Sequence, residues 1–256
     1  MRWTLGCCGL LTLSLFAMMP AADEAPRWGK VVGQVVWADK EIPKREVEVV
    51  DKDKQHCLEK GPILSEKWVI NPENKGVRWV FAWLAPDGDA QQQLPVHPDL
   101  QEVNPKRVEM DQPCCVFIPH ALGVRQGQEL HVKNSAPVPH DVRWAGSPRV
   151  NPPGDVLVPG GGAYTIKELR KDRMPILVSC NIHFWMKAYV RVFDHPYFAV
   201  TDADGKFTID KAPAGPCRLV IWHEAAGYCG GAKGEAITIK ADGPTDLGKL
   251  ALKASE

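Results

Sequence analysis

The chain has 256 residues, 31 Lys plus Arg against 31 Asp plus Glu, 8 Cys, 8 His and 22 each of Gly and Pro. That length supplies one large or two small domains with a real core. Balanced charge without a basic stripe excludes a typical nucleic-acid binder. No segment after residue 22 has the apolar length of a membrane span.

The N-terminus reads as an export signal. Arg2 supplies positive charge, Leu5 to Met19 is apolar apart from small and hydroxyl residues, and Ala21 and Ala22 precede an acidic, Pro-bearing stretch. Residues 1–22 are therefore expected to be a cleaved signal peptide, and the mature protein to be periplasmic or otherwise exported. Its run is short for an anchor helix. In an oxidising compartment cysteines tend to pair. Cys57 is expected to pair with Cys114 or Cys115, and Cys217 with Cys229, while a metal would keep Cys180 as a thiolate.

Helical periodicity is nearly absent. Short runs rich in Val, Ile, Trp and Phe recur between Gly, Pro and Asp, the pattern of an all-β sandwich or barrel. Strands are predicted over 31–38, 45–50, 77–84, 115–118, 129–134, 140–144, 175–180 and 188–193. The Gln- and Pro-rich stretch 86–112 is predicted as a long surface loop, Gly160–Gly162 as a turn and 168–173 as a charged connection. A second unit is expected from residue 194. In 199–209 two strand-like runs flank an Asp-Gly, a hairpin signal, and further strands are predicted over 217–224, 235–240 and 248–253. This unit, small enough to be marginal alone, resembles the carboxypeptidase regulatory-like, transthyretin-type β-sandwich through TDADGKFTI and its PAG turn. The expected layout is 28–193 for a first domain and 194–256 for the second.

Two segments carry chemistry: VKNSAPVPHDVRW (132–144) and VSCNIHFWMKAYVRV (178–192). The second offers a thiolate, an imidazole and a thioether spaced Cys-x2-His-x2-Met. Soft sulfur donors with imidazole select copper, and two His, one Cys and a weak axial Met describe a blue copper centre. Zinc gains little from Met. One short loop cannot supply the second imidazole. His140, following Pro139 after the strand that ends at Asn134, is the candidate.

Both segments resemble the cupredoxin (blue copper) family, most closely its amicyanin type, which has the same short ligand loop. The upstream match includes an Asn, five residues and a His preceded by Pro, here Asn134 to His140. The resemblance implies a cupredoxin-like Greek-key sandwich with one type 1 copper held by His140, Cys180, His183 and Met186. It also implies that Asn134 hydrogen-bonds near the cysteine and ties the ligand loops together, and that His183 lies at the surface as the electron port. Ala136, Pro137, Phe184 and Trp185 would form an apolar rim for transient redox partners. The loop departs from the family in reading Asn181-Ile182 and Phe184-Trp185 where Pro is usual.

The expected function is therefore electron transfer between redox proteins, without catalysis. An oxidase or nitrite reductase would need further imidazoles, commonly His-x-His, and the sequence has none; it also lacks Cys-x-x-Cys-His. The alternative is an exported copper carrier or a non-redox two-sandwich binding module. His120 and His131 read as structural, and His223 beside Glu224 as a contact between the two units.

Overall fold

The computed structural model describes residues 27–89 and 92–254, so the expected signal peptide, 1–22, lies outside the described residues. Strand β1 (Trp28–Trp37) is followed by a single helical turn, α1 (Lys54–Cys57), and by β2 (Phe81–Pro86). Eight strands come next: β3 (Arg107–Asp111), β4 (Ala121–Arg125), β5 (Glu129–Lys133), β6 (His140–Ala145), β7 (Gly154–Val158), β8 (Ala163–Ile166), β9 (Ile176–Ser179) and β10 (Lys187–Phe193). The last six are β11 (Phe198–Val200), β12 (Lys206–Pro213), β13 (Gly215–His223), β14 (Gly227–Cys229), β15 (Glu235–Ile239) and β16 (Pro244–Leu252). The protein is all-β, as its residue pattern predicts.

Two sandwiches result. The first packs β4-β10-β9-β6-β7 against β3-β5-β8. Met110, Phe117, Leu130, Val142, Ile176 and Val190 fill the space between them, and Cys180 and Met186 share that core. The second packs β12-β1-β16 against β11-β2-β13-β14, with β15 on β13, around Val31, Leu84, Phe207, Ile209, Ile221 and Ile239. Alternation over 206–210 of β12 and along β6 turns every second side chain toward these cores, as a half-buried strand requires.

The boundary expected at residue 194 does not describe this pairing. β1 lies between β12 and β16, and β2 lies between β11 and β13, so two strands near the N-terminus are central in the C-terminal sandwich. The first sandwich is inserted between β2 and β11. The physical reason is size: some 60 residues bury too little apolar surface to stand alone. Pairing is also mixed rather than purely antiparallel, because β1 runs parallel to β16, β4 to β10, and β3 to β5.

The expected hairpin over 199–209 is corrected in the same way. Its turn forms, with the Asp202 side chain accepting from the Asp204 and Lys206 amides and Gly205 at φ 72°. A Cβ on Gly205 would sit 2.2 Å from the Val35 carbonyl oxygen. The flanking strands then diverge, β11 to β2 and β12 to β1. Two predicted strands are absent. In 45–50 only Val47 makes a bridge, to Leu64, and Cys115 has φ 55°, which breaks 115–118. Within 86–112 the loop ends at β3.

A third apolar cluster joins the sandwiches. Phe81, Trp83, Val220 and Trp222 of the β2–β13 sheet meet Ala121 and Phe193 from β4 and β10. Tyr189 and Trp222 are 5.7 Å apart, and the Arg191 guanidinium lies 4.0 Å above Trp83. Each fully buried aromatic contributes about 1.5–3 kcal/mol. His120, just before β4, meets Glu224, just after β13, across the same junction.

Residues 194–256 expressed alone lack β1 and β2, so their amide NMR spectrum should show the narrow dispersion of an unfolded chain. A dispersed spectrum would refute the central placement of those strands. His223, fully buried and with Nε2 unpartnered, is pushed down to about 4 by desolvation, against the Glu224 charge. The unfolded chain therefore takes up this proton first on acidification. Its contribution is complete above about pH 6.5 and declines toward pH 4, costing about 3 kcal/mol. The urea midpoint should fall across that window, and more shallowly in a His223→Gln variant.

Candidate metal centre

The site follows from one strand pairing. β6 and β9 are antiparallel neighbours, with Arg143 opposite Ser179. The start of β6 therefore lies beside the end of β9, which places His140 against the loop 180–186. That loop is tight. Met186 donates its amide to the His183 carbonyl at 2.9 Å, and the Cys180 amide reaches the Met186 carbonyl at 3.4 Å.

His140, Cys180 and His183 converge, with donor atoms within 4.8 Å of one another and all three side chains buried. Nδ1 of His140 and Nδ1 of His183 are 2.9 Å apart, and Cys180 Sγ is 3.8 Å from His183 Nδ1. Met186 is buried in the same core. Burial pushes the Cys180 thiol up, while the amides of His183 and Asp141, donating to Sγ at 3.4 and 3.3 Å, oppose that shift. Burial, with His183 adjacent, pushes His140 down to about 4. His140 Nε2 is buried with no partner. Two imidazoles and a thiol facing one another, shielded from water, make a soft donor set that suits copper.

Three implied features are placed differently. Asn134 is fully buried, but its Nδ2 donates to the Val138 and Val158 carbonyls, both at 2.9 Å. It fixes the bend before His140 to β7 and does not reach the cysteine loop. The Asp141 amide on Cys180 Sγ and the His140–His183 contact tie the two loops together instead. His183 is not at the surface: it is 0 % exposed, and its Nε2 lies 2.8 Å from Asp53 Oδ2. Ala136, expected on the apolar rim, is buried too, while Phe184 is 65 % exposed.

Asp53 is what sequence reading missed. Nothing in the spacing of DKDKQHC marks Asp53, because its role depends on a contact 130 positions away. The choice between Cys114 and Cys115 is resolved: Cys57 is bonded to Cys115, and Cys114 is free and accepts from Lys60 Nζ. Cys57 and Cys115 also gather near His183, but their sulfurs are committed to each other. Cys217 and Cys229 are unpaired. Cys229 lies opposite Ile221, four positions from Cys217 along β13 and so about 13 Å away, beyond disulfide reach.

No family model matches the chain, and no curated protein matches it. Solved structures do match part of it. An amicyanin variant is 17% identical, covers 44% of this chain and 98% of its own, and has a TM-score of 0.31. A purple cupredoxin from Nitrosopumilus maritimus is 14% identical and covers 33% of this chain and 98% of its own, at TM-score 0.29. These structural neighbours are cupredoxins. The copper-containing nitrite reductase of Thermus scotoductus is 20% identical, over 43% of this chain and 25% of its own, at TM-score 0.30. Superposition this partial leaves the case for the site to its own geometry.

Asn134→Ala should leave the Val138 and Val158 carbonyls without their donor and lower stability by about 1–3 kcal/mol. Chemical denaturation measures this. Unchanged stability would show that Asn134 does not hold the bend.

Proposed function

We propose that this chain carries one mononuclear type 1 copper, with His140, Cys180, His183 and Met186 as ligands, and passes electrons between redox proteins outside the cytoplasm. The observation that carries the reading is the buried convergence of one Sγ and two Nδ1 atoms at the adjoining ends of β6 and β9. Copper held by these residues would supply a one-electron Cu(II)/Cu(I) couple. The chain's own residues do the rest. The β6–β9 pairing fixes two ligand positions before any metal arrives, so little rearrangement accompanies a change of charge. The Asp141 and His183 amides stabilise thiolate charge on Cys180. Burial of all three donors excludes water and suits a retained ion better than one handed on by a carrier. No catalytic step is assigned.

Partner contact is assigned to the face bearing Phe184 and Trp185, since His183 is covered. Trp185 is itself anchored, its Nε1 donating to the Cys115 carbonyl at 3.0 Å. Export remains part of the proposal, and the Cys57–Cys115 disulfide supports it, because such bonds persist in oxidising compartments. Among the described residues no helix is long and apolar enough to cross a membrane.

One equivalent of Cu(II) added to the protein should give an intense visible band and narrow copper hyperfine splitting in EPR. Cys180→Ala should abolish both, and His140→Ala should disturb them. An ordinary type 2 spectrum that survives Cys180→Ala would contradict the assignment.

A further inference from the structure

We infer that Asp53 is a positioning residue for His183, and that the turn carrying it is a cap stapled over the site by the Cys57–Cys115 disulfide. A carboxylate at neutral pH only accepts hydrogen bonds. His183 Nε2, 2.8 Å from Asp53 Oδ2, is therefore the nitrogen that keeps a proton when the ring is singly protonated. That leaves the lone pair on Nδ1, the atom facing Cys180 Sγ and His140 Nδ1. Asp53 thus selects the tautomer that can bind a metal and fixes the plane of the ring.

The local backbone agrees with this role. Asp53 occupies the N-cap position of α1, where an Asp side chain ordinarily accepts from the first helical amides. Here it makes no such bond. Its carbonyl holds the turn instead, accepting from the His56 and Cys57 amides, and the carboxylate is left for His183. The residue also stands at φ 46°, ψ 34°, a left-handed conformation that a non-glycine residue adopts at a cost. Such strain persists where surroundings over-determine it, and it gathers at functional sites.

The staple acts from both sides. Cys57 closes α1 and is bonded to Cys115, whose carbonyl accepts from Trp185, two positions after His183. The disulfide thereby ties the cap to the ligand loop. Partners that orient a ligating His commonly alter metal affinity 10–100-fold when removed.

The inference rests on the copper reading for its consequence, but its first readout needs no metal. Long-range nitrogen–proton NMR on the metal-free full-length protein should show His183 as the Nε2–H tautomer. Asp53→Ala should turn it into a mixture, Asp53→Asn should do so while keeping the side-chain shape, and Asp53→Glu should restore the single form. Competition against a chelator should then show Cu(II) affinity lowered about 10–100-fold in Asp53→Ala, with partial recovery in Asp53→Glu. The double variant Cys57→Ser/Cys115→Ser should shift tautomer and affinity the same way. An unchanged tautomer and affinity in Asp53→Ala and Asp53→Asn would overturn the inference. A wild-type chain that takes up no copper, yet loses its tautomer preference in those variants, would uphold the cap and overturn the copper reading.

Discussion

The antiparallel pairing of β6 with β9 is the constraint on which the site depends. Hydrogen bonding sets Arg143 opposite Ser179, and the geometry of a pleated pair then leaves no freedom in where His140 and Cys180 emerge. Forty residues separate them in the chain, but the pairing turns that interval into adjacency. The loop that follows β9 brings His183 within three positions of Cys180, so a single register fixes the three donor atoms that converge. A slip of one residue would turn His140 to the opposite face of the sheet.

Around that register the molecule is built in layers. The sandwich holding the site is an insertion in the other one, since β2 precedes it and β11 follows it. Both halves of the second sandwich must be present before it can bury its core, which couples the chain ends to each other. The aromatic layer between the sandwiches, with Trp83, Trp222, Phe193 and Tyr189, holds the sheet behind the ligand loop against a second sheet. Loops at the end of a scaffold gripped this way are better fixed than loops on a free sandwich would be.

Much of this was legible in the residues themselves. Short apolar runs between Gly, Pro and Asp announced β5, β6, β9 and β10, and the Cys-x2-His-x2-Met spacing with a His after Asn134 marked three residues that do converge. What was not legible depends on contacts distant in sequence. β1 reads as a strand, yet nothing in it says that its partners are β12 and β16, more than 160 positions on. The Asp-Gly turn at 204–205 is a local signal and forms locally, whereas the fate of its strands is decided by β1 and β2. The family resemblance placed Asn134 on the cysteine loop and His183 at the surface. The intervening structure, β7 for one and the Asp53 turn for the other, reassigns both. The Asp53 turn lies in the long segment between β1 and β2, where the amicyanin likeness offered no guide.

The proposed copper lies where the three donor atoms point. Crystals of the copper-loaded protein, with anomalous data collected at the copper edge, test this most directly. A single strong peak is expected among Cys180 Sγ, His140 Nδ1 and His183 Nδ1, with Asp53 still on His183 Nε2. A peak bound elsewhere, or none in protein shown to contain copper, would contradict it.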